Sequence, residues 1–141
     1  MTTLSQEICL TRTIHAQPEA VFAAFTSADG WCDWCAEKAS ADARVGGKLH
    51  VYTQGYNAYG EFTELAPNRT AIFTWNGDKE PPMRIQVWLD TVEESTVLTF
   101  KVTGLCPEPD WQAFAPELER IWGRVLNNLK NVLEEKSGKT H

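Results

Sequence analysis

No apolar run in this chain of 141 residues approaches the roughly 20 residues that a membrane-spanning helix requires. The start, Met1 to Gln6, carries neither the basic region nor the apolar stretch of a signal peptide. The two absences predict a cytoplasmic protein with no membrane partner. Basic clusters are missing as well. Lys and Arg number 13 against 19 Asp and Glu, the formal net charge is -6, and the cationic residues are spread out, which predicts no nucleic-acid partner. Without a secretory route, Cys9, Cys32, Cys35 and Cys106 are expected as reduced thiols, and the Asn68-Arg69-Thr70 sequon has no meaning.

Catalytic signatures are equally scarce. There is no G-x-S-x-G, and of the three histidines only His50, inside a strand-like run, is placed to sit within a fold; His15 closes a strand and His141 is terminal. A strand histidine bonded to a neighbour is the ordinary outcome. Trp31-Cys32-Asp33-Trp34-Cys35 contains a C-x-x-C preceded by Trp, but disulfide chemistry needs its thiolate at a helix start after a core strand, whereas this motif follows a helix. As a zinc site it lacks a second close ligand pair, because Cys9, Cys106, His15 and His50 are scattered. The expectation is small apolar side chains packed beside two Trp, with no metal, no cofactor and no catalytic residue.

What the chain does have is a globular composition, 43% apolar and 23% charged, with six Trp, six Phe and three Tyr. One domain over residues 1–141 is expected, with Lys136 to His141 as a frayed tail. Ile8, Leu10 and Ile14 recur on one parity between Ser5 and Ile14, the period of a half-buried strand. Pro18 then opens a short helix to about Ser27, and a second short helix or turn spans Ala28 to Ala36. After the Gly46-Gly47 turn, strands are expected over Lys48 to Gln54, Tyr56 to Leu65, Arg69 to Trp75, Arg84 to Val92 and Thr96 to Thr103. The short breaks between them argue for an antiparallel meander.

The period changes at Leu118. Ile121, Trp122, Val125, Leu126, Leu129, Val132 and Leu133 form one face, and Glu119, Arg120, Arg124, Asn127, Lys130, Asn131 and Glu134 the other. A helix from about Pro116 to Glu135 follows, on the order of 30 Å long. Gly123, on its polar face, costs about 1 kcal/mol relative to Ala, and nothing in the sequence explains it. The fold class is therefore α+β: a curved antiparallel sheet of about six strands around a long C-terminal helix, with two short helices after the first strand.

That order of elements resembles the START-like, pollen-allergen-like (SRPBCC) superfamily and its helix-grip fold. The residues resemble, more narrowly, the family of activator-of-heat-shock-protein-90-ATPase homologues: Ile14-His15-Ala16 with "QPEAVFAAFTSADGW", then "DARVGGKL", "GEFTELAPNRTAIFTW" and "STVLTFKVTGL", and finally Trp122, Leu126, Leu129 and Leu133. These motifs are structural and name no catalytic residues. The resemblance implies a sheet standing away from the long helix, so that aromatic rings line a cavity instead of only filling a core. The residues expected at such a cavity are Trp31, Trp34, His50, Tyr52, Tyr59, Trp75, Arg84, Trp88, Trp111 and Trp122. Trp111 and Phe114, in the Pro-rich stretch Thr103 to Ala115, fit either a lid over its mouth or a staple onto the helix; strand parity leaves the facing of Trp88 open.

Three readings follow from that resemblance. The first is a non-catalytic binding protein for a small hydrophobic ligand. The second is an interaction module related to chaperone ATPase activators. The third is a polyketide cyclase or hydrolase-like enzyme, which would need His50, Tyr52, Glu61 and Arg84 to converge. Neither a chaperone nor a homodimer partner is indicated by the residues themselves.

Overall fold

A computed structural model describes residues 7–78 and 81–138. Strand β1 (Glu7–Ile14) leads into helices α1 (Pro18–Thr26) and α2 (Ala28–Trp34). Strands β2 (Lys38–Ala41), β3 (Lys48–Thr53), β4 (Tyr56–Ala66), β5 (Thr70–Gly77), β6 (Met83–Val92) and β7 (Ser95–Gly104) follow, and helix α3 (Glu108–Gly138) closes the order. The sheet has seven strands in the order β1-β7-β6-β5-β4-β3-β2, so the meander runs from β2 to β7 and β1 pairs back onto β7. Each neighbouring pair is antiparallel.

Alternation fixes which face meets the helices. In β6 Met83, Ile85, Val87 and Leu89 are buried while Arg84 and Trp88 are exposed, and β7 buries Leu98, Phe100 and Val102 in the same rhythm. The register shift between Phe62 and Glu64 in β4 is a β-bulge, which bends the strand and helps the sheet curve around α3. Gln54 and Gly55, at φ 46° and 80°, make the two-residue β3–β4 hairpin turn, where the primed turn geometry favours Gly.

Two elements depart from the sequence expectation. The seventh strand is β2, four residues whose pattern is too short to show a period; it exists by pairing, Lys38 to Ala41 against Tyr52 to Leu49. Helix α3 begins at Glu108, not at Pro116, and carries Pro116 inside it. An interior Pro costs a helix about 3 kcal/mol, so the extra turns must be held by tertiary packing. Trp111 supplies it: its side chain is 1% exposed, and its backbone N–H donates to the Pro107 carbonyl at 3.1 Å. At the other end α3 runs through Lys136, part of the expected tail; Lys139 to His141 lie outside the described residues. Among the described residues no helix is long and apolar enough to cross a membrane.

A groove between the sheet and the last helix

Trp31 and Trp34 stand three residues apart on α2, and each indole N–H donates to a carbonyl in the last turn of α1, to Phe25 at 3.0 Å and to Ala24 at 3.0 Å. Those carbonyls have no partner inside their own helix. The two Trp of the Trp-Cys-Asp-Trp-Cys motif therefore cap α1 while their rings stack at 5.2 Å. Cys32 points to solvent and Cys35 ends the helix, partly buried, with its thiol pushed up to about 11 by burial and, secondarily, by Cys32. A thiol held protonated there is a poor nucleophile at neutral pH.

From Trp31 the rings continue inward. Trp31 meets Trp75 at 5.6 Å, Trp75 meets Trp122 edge-on at 5.4 Å, and Trp122 meets Phe100 at 5.0 Å. Most of the space between sheet and helix is thus filled by aromatic packing. Such contacts are worth about 0.5–1.5 kcal/mol each beyond the area they bury.

The rings do not fill everything. Between the β3–β4 turn and α3 a groove of about 490 Å³ stays half open. Trp75 and Tyr56 form its sheet side, Leu118, Ile121, Trp122 and Val125 its helix side, and Cys35 and Arg124 also line it. The helix residues fall at the i, i+3, i+4, i+7 spacing of one face. Trp75 donates its indole N–H to the Tyr56 hydroxyl at 2.9 Å, which orients both rings. A second depression, about 420 Å³, lies between α1, α2 and the end of α3; small residues such as Ala20, Ala23 and Gly30 form it, with Trp34 its only aromatic ring.

Of the residues expected at a cavity, the structure brings Trp75 and Trp122 to the groove and stacks Trp31 and Trp34 behind them. Trp111 is a staple, not a lid: buried at the start of α3, it lies against Gly104, where a Cβ would come within 2.6 Å of its ring. His50, Tyr52, Tyr59, Arg84 and Trp88 belong to the strand parity opposite the buried one, so they are on the outer face of the sheet and not in the groove. There His50 stacks on Tyr59 at 4.5 Å and shares a 2.8 Å hydrogen bond with Asn57, and Trp88, 38% exposed, donates to Gln86. The groove residues outside the set expected at a cavity are Cys35, Thr53, Gln54, Tyr56, Leu118, Ile121, Arg124 and Val125. For Leu118 and Val125 the helical period was the available signal.

Polar ties hold α3 in place over the sheet. Arg12, on the inner face of β1, donates from its guanidinium to the Gly123 carbonyl at 3.1 Å and to Asn127 at 2.8 Å. Lys130 reaches the Thr13 carbonyl at 2.5 Å, and Asn128 reaches the Trp34 carbonyl at 2.6 Å. Glu134 accepts the His15 backbone N–H at 2.9 Å and pairs with Lys130 at 2.7 Å. Burial pushes its carboxyl up, but the Lys130 and His15 contacts outweigh burial and hold it below the usual range.

Comparison with known proteins agrees with this architecture. A search of curated proteins finds no match. Among solved structures, the Aha1 dimer from Colwellia psychrerythraea is 28% identical, with a TM-score of 0.76 over 91% of this chain and 96% of that one. A protein of Chromobacterium violaceum is 26% identical, with a TM-score of 0.73 over 92% and 97%. A Plasmodium falciparum HSP90 activator, 23% identical over 94% and 96%, shares the fold with a TM-score of 0.71. The family model for activator of Hsp90 ATPase homolog 1-like proteins matches residues 15–134, from the end of β1 through the ties of α3, and the chain belongs to that family.

Proposed function

We propose that this protein binds a small hydrophobic ligand, without turnover, in the groove between the β3–β4 turn and α3. The groove itself carries the reading. Its volume of about 490 Å³ lies within the roughly 300–1,000 Å³ of small-molecule sites, and its walls are Trp, Tyr and aliphatic side chains with few polar groups. The chemistry that an enzyme of the cyclase or hydrolase type would need lies elsewhere. His50, Tyr52, Glu61 and Arg84 are on the outer face of the sheet, His50 bonded to Asn57 and Glu61 paired with Lys48 at 2.7 Å. With no helix suited to crossing a membrane among the described residues, a cytoplasmic location fits a protein that samples dissolved ligands.

Native mass spectrometry of gently purified protein should show a bound species, and Trp emission should respond to apolar ligands because Trp75 and Trp122 line the groove. An adduct-free spectrum together with no response to any apolar compound would overturn the reading.

Family membership favours a second reading, an interaction module acting on a chaperone ATPase. One relative is described as an HSP90 activator and another as a dimer, which brings chaperone binding and self-association into the same test. Adding this protein should raise the ATPase rate of an Hsp90-type chaperone if that reading holds. An unchanged rate and separate elution would remove it.

A further inference from the structure

We infer that the ligand of this groove is an amphipathic anion, with an apolar ring or chain against Trp75 and Trp122 and an acidic head at Arg124. This rests on the groove being a ligand site. Arg124 is the only charged residue that lines it. Its neighbours one turn away on α3 are Arg120, Ile121, Asn127 and Asn128, so its own helix offers no carboxylate at the spacing where a pair would form. Of the nearby acids, Glu117 pairs with Arg120, Glu37 accepts the Gln54 backbone N–H at 2.6 Å, and Glu119 lines the cleft on the other side of Arg124 and not the groove. Among the described residues Arg124 makes no hydrogen bond or ion pair.

The surroundings reinforce the sign of the site. On its other side Arg124 borders a shallow cleft that also holds Arg12 and Arg120, with Glu119 as its carboxylate. In that cleft Arg120 is paired with Glu117 and Arg12 is bonded to Asn127 and the Gly123 carbonyl, so among the described residues Arg124 is the one of the three left to meet an anion, in a chain whose net charge is -6. A guanidinium presents a planar fork of donors that matches carboxylate, sulfonate or phosphate oxygens, and next to an apolar wall it selects for a ligand carrying both characters.

Two dyes separate the apolar and the anionic contributions. 8-Anilino-1-naphthalenesulfonate and N-phenyl-1-naphthylamine share one aromatic body and differ by a sulfonate. Fluorescence titration of the intact protein and of Arg124→Gln should show the sulfonate dye weakened about three- to tenfold, the uncharged dye unchanged, and Arg124→Lys restoring much of the loss. Rising salt should erode the affinity of the sulfonate dye selectively. Equal behaviour of both dyes in Arg124→Gln would overturn the anion inference and leave the groove reading standing. Failure of both dyes to bind the unaltered protein would overturn the inference, and together with an adduct-free spectrum and no response to any other apolar compound it would overturn the groove reading as well. Val125→Trp, which fills the groove, should abolish binding of both; binding that survives it places the site elsewhere and overturns the inference. If the protein is a dimer that Val125→Trp dissociates, the occupant is a second copy and the inference is likewise overturned.

Discussion

The role of Trp111 can be decided by adding one methyl group opposite it. Gly104, the last residue of β7, has an ordinary negative φ, so replacing it with Ala introduces no backbone strain. The added Cβ would lie 2.6 Å from two ring carbons of Trp111, whereas ordinary carbon contacts start at about 3.5 Å. The indole must therefore retreat by roughly 1 Å. It has nowhere easy to go, because it is 1% exposed and anchors the first turns of α3, ahead of Pro116. Overpacking of this kind costs about 1–3 kcal/mol. For a chain of this size that is a fall in melting temperature of about 3–10 °C, measured by circular dichroism and checked by urea denaturation. The decisive arm is a double-mutant cycle. Gly104→Ala made in a Trp111→Leu background should cost less than 0.5 kcal/mol, because the ring that the methyl strikes is gone. If the full cost survives in that background, or if Gly104→Ala is neutral in the native one, the staple assignment is refuted. A lid would behave otherwise, altering ligand entry while leaving the melting temperature unchanged.

Two further perturbations test neighbouring parts of the account. Gly123→Ala should stabilise the protein by up to about 1 kcal/mol in urea denaturation, since a Cβ there meets only the Arg12 guanidinium at an ordinary 3.5 Å; a loss of stability would show that the α3 to β1 spacing depends on the missing methyl. The Cys35 thiol, pushed up from 9.0 to about 11, keeps its proton in the folded state over a range where the unfolded chain has released it. Folding stability should accordingly fall by about 2–3 kcal/mol as pH rises from 9 to 11, and Cys35→Ser should flatten that decline; parallel curves for the two proteins would refute it. At pH 8, mass-spectrometric mapping after brief iodoacetamide treatment should find the exposed Cys32 alkylated well before Cys35.

The fold was legible because its signals are periodic and strong. Ile8, Leu10 and Ile14 mark β1, and the run from Leu118 to Leu133 marks the buried face of α3. What stayed hidden depended on contacts between distant residues. The four residues of β2 have no period to read, and only the partnership with β3 makes them a strand. The first turns of α3 contradict local propensity at Pro116, and the burial of Trp111 against Gly104, seven residues earlier, outweighs it. The site was half legible for a related reason. An alternating strand shows two faces but not which one is inside, and the outward set contains His50, Tyr52, Tyr59, Arg84 and Trp88 as conspicuously as the inward set contains Trp75. Residue type alone favoured the aromatic members of both. Gly123, unexplained by the sequence, is where the Arg12 guanidinium closes on a helix carbonyl.

The position of the groove follows from where α3 is fastened. Its polar ties run to β1, through Arg12 to Gly123 and Asn127 and through Lys130 to Thr13, and to the α1 and α2 side, through Glu134 to His15 and Asn128 to Trp34. Trp111 pins the beginning of the helix at the end of β7. Between these anchors the face formed by Leu118, Trp122 and Val125 looks toward the β3–β4 turn, and no side-chain hydrogen bond or ion pair among the described residues links those helix residues to β3 or β4. The helix is thus held firmly along one edge and touches the far end of the sheet only through apolar surface. An occupant entering there breaks none of the ties, so its binding free energy is not spent on unfastening the fold. It should instead appear as added stability, about 2.7 kcal/mol when ligand is present at one hundred times its Kd. A ligand that binds at the groove yet lowers the melting temperature would mean that α3 has to be prised from β1 to admit it, contrary to this arrangement of ties.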